Sequence, residues 1–344
     1  MTRKLLVSAT ALAVATGSAF AEDGDSPFFE IEGVIELQTD FNFDSDDPDA
    51  ELNDIFFTIE PAITLNLGRG ATINASLVFE PIIDATDDRF IEDHGLFAEE
   101  LFYAQEFGNI ELVLGKFNPA FGVAWDATPG IFGVDFAEDY EITERIGAGV
   151  NIGFDAGEGI NAAFGDIGVS FAVFQADRTV FSEAIGEDRP RLTIEDGGVS
   201  NTSGLQSFSL ALTGDTENTS WNIGYQYQEG GEGDPNDQQG FVAGIIHAFG
   251  EVEVIGEIAY FDDFEGSDSD AVYYTGGISV PVGPVSLSGA FTVRDIDDAS
   301  TDTLITTTAE YEIFENFTAA IGYKYAEEDS VDTHTIGTLW AYEF

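Results

Sequence analysis

Between Asn118 and Glu144 the chain carries the carboxylates Asp126, Asp135, Glu138, Asp139, Glu141 and Glu144, with Trp125, Phe132, Phe136 and Tyr140 among them. Such a mixture suits a segment that packs its rings on a wall and turns its carboxylates to water, where they attract cations. Basic partners are few. Arg145, Arg294 and Lys324 are the three whose positions, argued below, let them oppose those acids. Acids and bases facing one another across a narrow wet passage create a transverse field that orders water and filters solutes by charge. Catalysis has less to work with. The histidines are His94, His247 and His334, and there is no Walker loop, HExxH or GxSxG. The acidic runs Asp44 to Glu51 and Asp262 to Asp270 offer oxygen ligands of the kind that Ca²⁺ or Mg²⁺ takes, without EF-hand spacing.

The elements that would position these residues have a period of two. From Ser330 to Phe344, one parity gives His334, Ile336, Thr338, Trp340, Tyr342 and Phe344. The other gives Thr333, Thr335, Gly337, Leu339, Ala341 and Glu343. Successive strand side chains point to opposite faces, so one face is aromatic and the other small and more polar. A membrane-spanning β-barrel strand has this pattern, and so does a strand of a soluble β-sandwich. The final Phe after alternating aromatics also resembles the insertion signal of bacterial outer-membrane barrels.

Composition narrows the choice. Arg3 and Lys4, the mostly apolar run Leu5 to Phe20 and the Ala19-Phe20-Ala21 site form a cleavable export leader over residues 1–21. The remainder, 22–344, is one domain with 9 basic and 65 acidic residues, a formal net charge of −56. That charge argues against nucleic acid and against anionic cargo. With no cysteine there is no lipoprotein anchor and no disulfide framework. No further stretch reaches the length of a membrane helix, so a chain in the membrane must be a closed barrel.

About sixteen strands can be placed, and their connections alternate between short turns and long acidic loops. Strand five is Ile110 to Phe117, strand six Arg145 to Phe154, strand eleven Glu251 to Phe261, strand thirteen Pro284 to Arg294 and strand fifteen Phe317 to Ala326. The turn between 155 and 166 has no fixed position. A sandwich gives no reason for sorting long loops to one end. A barrel does, with short turns on the periplasmic side and long loops outside. Its lumenal rows would then hold Arg145, Arg294, Lys324 and the acids Glu251, Glu253 and Glu257, while Gly147, Gly149 and Gly153 would let an inserted loop approach closely. Lys116 breaks the pattern by sharing the apolar parity of Ile110, Leu112 and Leu114; a bulge or a snorkelling side chain would account for it.

Sixteen strands in roughly 320 residues resemble the Gram-negative outer-membrane porins. The segment Leu114-Gly115-Lys116-Phe117-Asn118-Pro119-Ala120-Phe121-Gly122 is similar to the one that closes the fifth strand in phosphate-selective-type porins, with Ala120 where Pro is usual. The resemblance implies a homotrimer in the bacterial outer membrane, in contact with lipid and lipopolysaccharide. It implies passage of small hydrophilic solutes and cations, no enzymatic activity, and a third loop, Asn118 to Glu144, folded inward as the constriction. The acidic lumen adds the expectation of cation preference. The competing reading is a substrate-specific or receptor barrel whose external loops bind a ligand such as a siderophore.

Overall fold

The computed structural model describes residues 28–155, 164–187 and 189–344. The leader at 1–21 and most of the turn expected between 155 and 166 lie outside the described residues. The long staves are β1 (Phe29–Ser45), β2 (Asn53–Gly68), β3 (Ala71–Pro81), β4 (His94–Phe107), β5 (Ile110–Phe117), β6 (Arg145–Phe154), β7 (Asp166–Ala176) and β8 (Ser207–Asp215). They continue as β9 (Thr219–Gln228), β10 (Gln238–Phe249), β11 (Val252–Asp262), β12 (Ala271–Val282), β13 (Val285–Ile296), β14 (Thr301–Phe314), β15 (Phe317–Glu328) and β16 (Val331–Glu343). Each pairs antiparallel with its chain neighbours, and β1 pairs with β16 from Val34↔Glu343 to Ser45↔Thr333, so the sheet closes on itself. Closure removes free edges and satisfies every ladder, as a bilayer demands. No described helix is long and apolar enough to cross a membrane.

The expected inside-out pattern holds. Leu114, Ile223, Phe241, Phe291 and Ile321 are exposed on the outer face, while Gln226, Thr292, Thr306 and Thr335 are buried on the inner one. The short-turn and long-loop ends also separate in the main, with three departures: at the long-loop end β13 and β14 join through 297–300 and β15 and β16 through the two-residue turn Asp329-Ser330, both at positive φ, while at the short-turn end β6 and β7 are joined by the longer stretch 155–165.

Two staves are cut short at the long-loop end, and loops fill the gaps. Arg89–Phe90 lies parallel to Asp54 and Ile55 on the edge that β3 leaves on β2. A buried pair, Arg89 Nε to Asp54 Oδ1 at 2.7 Å, holds it there. On the edge of β4 beyond the end of β5, Ile185 pairs with Leu96 and Gly186 with Gly95. Lys116 is neither bulged nor snorkelling. It stays in register with Leu101 and Ile146 and is 1% exposed. Its ammonium is buried against Glu144 (2.8 Å), Asp177 (2.9 Å) and the carbonyl of Phe181 (2.9 Å).

Candidate functional site

The 118–144 loop leaves the wall at Asn118, and that residue fastens both of its ends. Its Oδ1 accepts from the Glu144 amide at 2.8 Å, its Nδ2 donates to Glu99 Oε1 at 2.9 Å, and its own amide donates to Glu100 Oε1 at 3.0 Å. Glu99 and Glu100 can both serve because the β3–β4 register shifts between Ser76 and Leu77, a bulge that lets consecutive side chains reach one face.

From there the loop crosses the lumen and is fixed by three sets of contacts. The first is Glu257 on β11, buried, which accepts from the amides of Val123 (2.8 Å) and Ala124 (3.0 Å), from Tyr140 Oη (2.8 Å) and from Asn222 Nδ2 (3.1 Å). The second is an aromatic cluster in which Phe121 and Tyr140 of the loop pack on Phe261 and Tyr273 of the wall, with ring centroids 5.0–6.4 Å apart. The third is a trough of missing side chains. A Cβ on Gly277 of β12 would meet Pro129, one on Gly322 of β15 would meet Ile131, and one on Gly337 of β16 would meet the Phe132 ring. A fourth wall glycine, Gly224 of β9, lies under the Phe121 ring of the same loop. Gly147 and Gly149, the positions expected from the sequence, face Phe174 of β7 and Phe117 and Phe171 instead, and Gly153 donates to Asn109 in the short-turn end.

The charges fall differently from the expected opposition of acids and bases. Lys324 Nζ pairs with Asp135 at 2.9 Å and stands 4.7 Å from the Phe132 ring centroid. Arg294 pairs with Asp139 at 2.6 Å and with Asp302 at 2.8 Å, and lies over Phe136. Both bases are therefore spent on the loop and its neighbours rather than standing free across a gap. Partly exposed ion pairs contribute only about 0–1 kcal/mol each, so these orient the loop, while Glu257 and the rings hold it. Arg145 is separate from both and donates to the Thr143 carbonyl at 2.7 Å.

Glu138, Glu141 and Asp126 remain without a basic partner among the described ion pairs. Enclosure within the barrel pushes Glu138 up to about 8, with Asp135, Glu80 and Asp139 adding like-charge repulsion. Glu141 rises to about 9 for the same first reason, reinforced by Glu99, Glu138, Asp126 and Glu100. Asp126 rises to about 6 through burial, in a crevice shared with Glu253, Ser288, Thr308 and Glu310. The wall within electrostatic reach of Glu138 and Glu141 is thus acidic too, built from Glu60, Glu80 and Glu99 on β2 to β4. Parity puts Glu60 and Glu80 on the lumenal rows, whereas Glu99 has the outward parity of Tyr103 and Phe107 and joins them only through the bulge; nothing local marks any of the three as a neighbour of the loop.

The histidines are occupied structurally: His94 Nε2 lies 3.1 Å from the Phe57 carbonyl, His247 bonds Thr219 Oγ1 and His334 bonds Tyr323 Oη, each at 2.7 Å. Among the described residues no group of three or more His, Cys, Asp or Glu has the geometry to hold a metal ion.

No curated protein matches the sequence. Solved structures do match in fold. The outer membrane channel DcaP of Acinetobacter baumannii aligns over 92% of this chain and 97% of its own, with a TM-score of 0.61 and 9% identity. An anion-selective porin from Comamonas acidovorans aligns over 92% and 99%, at 0.59 and 12%. A loop-deletion form of OmpT from Vibrio cholerae aligns over 92% and 99%, at 0.56 and 11%. The family model for Gram-negative porins matches residues 8–335. A closed sixteen-stave barrel with a polar lumen crossed by its third long loop, together with that match, places the chain in the Gram-negative porin family, as an outer-membrane channel.

Proposed function

We propose that this porin is a passive diffusion channel whose constriction favours cations. The observation that carries the reading is the arrangement of charge around the 118–144 loop. Glu138 and Glu141 look toward Glu60, Glu80 and Glu99, while Arg294 and Lys324 are already paired with Asp139 and Asp135. A cation passing this point meets carboxyl groups on two sides, and an anion meets no free guanidinium or ammonium there among the described ion pairs. Asp126, Asp135, Glu138, Asp139, Glu141, Arg294 and Lys324 are the constriction residues of this proposal; Arg145 supports the loop's exit. Residues 1–21 are taken as its cleaved leader, and the assembly implied by the family is a homotrimer.

The test is the reversal potential of single channels in asymmetric KCl. The sign expected is that of a cation-preferring pore, and a reversal potential on the anion side overturns the reading. Its pH dependence has a fixed direction. Carboxyls held at about 8 and about 9 are neutral below those values and charged above them. Cation preference therefore grows as pH rises from about 7 to about 10, a range in which ordinary carboxylates no longer titrate.

Substitutions separate the two kinds of acid. Asp135→Asn removes a negative charge and frees Lys324 into the passage, so at neutral pH it should weaken cation preference clearly. Glu138→Gln should change little at that pH and more above its titration. Equal effects of the two variants at neutral pH would contradict the assignment.

A further inference from the structure

The 263–270 loop also enters the barrel. The lumenal row of β11 runs through Ile255, Glu257, Ala259 and Phe261, all buried, and the chain then doubles back over its end. Asp263 (φ 56°), Glu265 (φ 54°) and Gly266 (φ 73°) are left-handed. Two of the three are not glycine, and such residues persist only where their surroundings hold them. Here the ties are explicit. The Phe264 ring is buried against Phe261 and Tyr273 of the wall, with centroids 5.2 and 5.9 Å away. The Phe264 amide donates to the Ser269 carbonyl at 2.7 Å, and the Glu265 amide donates to Oε1 of Gln238, at the start of β10, at 2.6 Å. Asn236 of the preceding long loop adds a further tie, its Nδ2 donating to Asp263 Oδ1 at 2.9 Å and to the Ser267 carbonyl at 3.0 Å.

This seating brings one more carboxylate to the inserted 118–144 loop. Tyr273, on which Phe264 packs, donates from Oη to Asp139 at 3.1 Å, so the segment lies beside the Asp139–Arg294 pair. Glu265 is exposed on it. Enclosure at this depth holds its carboxyl above the usual range, with Asp139 adding repulsion and Arg294 opposing it. Arg294 is already outnumbered, since Asp139, Asp302 and Glu328 pair with it at 2.6, 2.8 and 3.2 Å. Glu265 is a fourth carboxylate around one guanidinium, and it arrives from the long-loop end on a segment independent of 118–144.

We propose that residues 263–266 are a second inward-folded segment and that Glu265 is a specificity-determining carboxylate on the external approach to the constriction, drawing cations toward the Asp139–Arg294 pair and repelling anions before they reach it. The proposal rests on the diffusion-channel reading above, but not on the sign of its ion preference. Phe264 is the anchor and Gln238 fixes the backbone, so the charge is held over the ion path instead of moving with a free loop tip.

Single channels of the full-length protein in a planar bilayer, under a KCl gradient at neutral pH, test this. A unit charge a few ångströms from an ion path in water changes local cation occupancy about two- to threefold. Glu265→Gln should therefore lower the cation-to-anion permeability ratio about twofold, and Glu265→Lys should lower it further. Glu232→Gln removes an exposed carboxylate from the neighbouring 229–237 loop and should leave the ratio at the parent value. The chain has no cysteine, so Glu265→Cys and Glu232→Cys can each be modified with trimethylammonium-ethyl methanethiosulfonate. Modification at 265 should give a stepwise loss of current, and modification at 232 none. Parent ratios in both Glu265 variants, or equal responses at 265 and 232, would overturn the proposal. An anion-preferring parent whose ratio still falls in Glu265→Gln would overturn the constriction reading and leave Glu265 in its role. The replaced side chain makes no hydrogen bond among the described residues, and the backbone there already carries a non-glycine residue, so these variants leave the fold in place.

Discussion

Replacing Glu257 by Ala should turn a steady pore into a fluctuating one with a higher mean conductance. The substitution removes the acceptor of four hydrogen bonds at once, two from the backbone of the short helix Ala124–Ala127 and the residue before it, one from Tyr140 and one from Asn222. Each donor left unsatisfied in a buried place costs about 1–3 kcal/mol, and the costs are not additive. The aromatic cluster of Phe121, Tyr140, Phe261 and Tyr273 survives the change. Aromatic pairs of this kind contribute about 0.5–1.5 kcal/mol beyond their buried area, enough to keep the loop near the wall and too little to fix its register. The expected trace in a planar bilayer therefore shows repeated steps between the native level and larger ones. Glu257→Gln is a milder case, since its amide oxygen still accepts from one pair of these donors while only the other pair faces a nitrogen that cannot accept. A Glu257→Ala channel with native conductance and native noise would mean that the loop is held without this carboxylate.

The second large effect concerns folding rather than flow. Lys116→Met should destabilise the barrel by about 3–5 kcal/mol, the usual cost of removing one partner from a buried ion pair. Asp177 is left almost wholly buried with no cation, and Glu144 keeps only Arg189. Because the loss comes from the orphaned carboxylate, Lys116→Met combined with Asp177→Asn should recover a good part of it. Urea unfolding in detergent micelles, followed by the loss of strand signal, gives the three values. A Lys116→Met variant as stable as the parent, or a double variant no more stable than Lys116→Met alone, would remove this pair from the stability of the long-loop end.

Much of the architecture is visible in the chain before any coordinates. Side chains alternate with a period of two, long acidic loops collect at one end, and an aromatic-acidic segment occupies the third loop. These signals are local or regular, and they translate directly into staves, end assignment and insertion. What stays hidden depends on which staves become neighbours of the loop. Gly277, Gly322 and Gly337 are unremarkable residues in three separate strands, and only the path of Pro129, Ile131 and Phe132 makes them a trough. Arg294 and Lys324 sit on the lumenal parity as expected, but parity cannot say that Asp139 and Asp135 reach them. Lys116 contradicts its own row because the cover over it arrives from a loop more than sixty positions later. Lumenal glutamates such as Glu60 and Glu80 are placed by period and left unread by it, since their electrostatic company is set by the third dimension.

The seam between β1 and β16 is closed at the short-turn end by paired backbone bonds between Gly33 and Phe344, at 3.1 and 3.0 Å. Every other stave can find its partner in the hairpin just made, but this one joins segments some three hundred positions apart, the slowest kind of contact for a chain to form. Assembly must then carry two sticky borders until its final step, so a chaperone or membrane-inserting machine that shields both would act on everything except the completed cylinder.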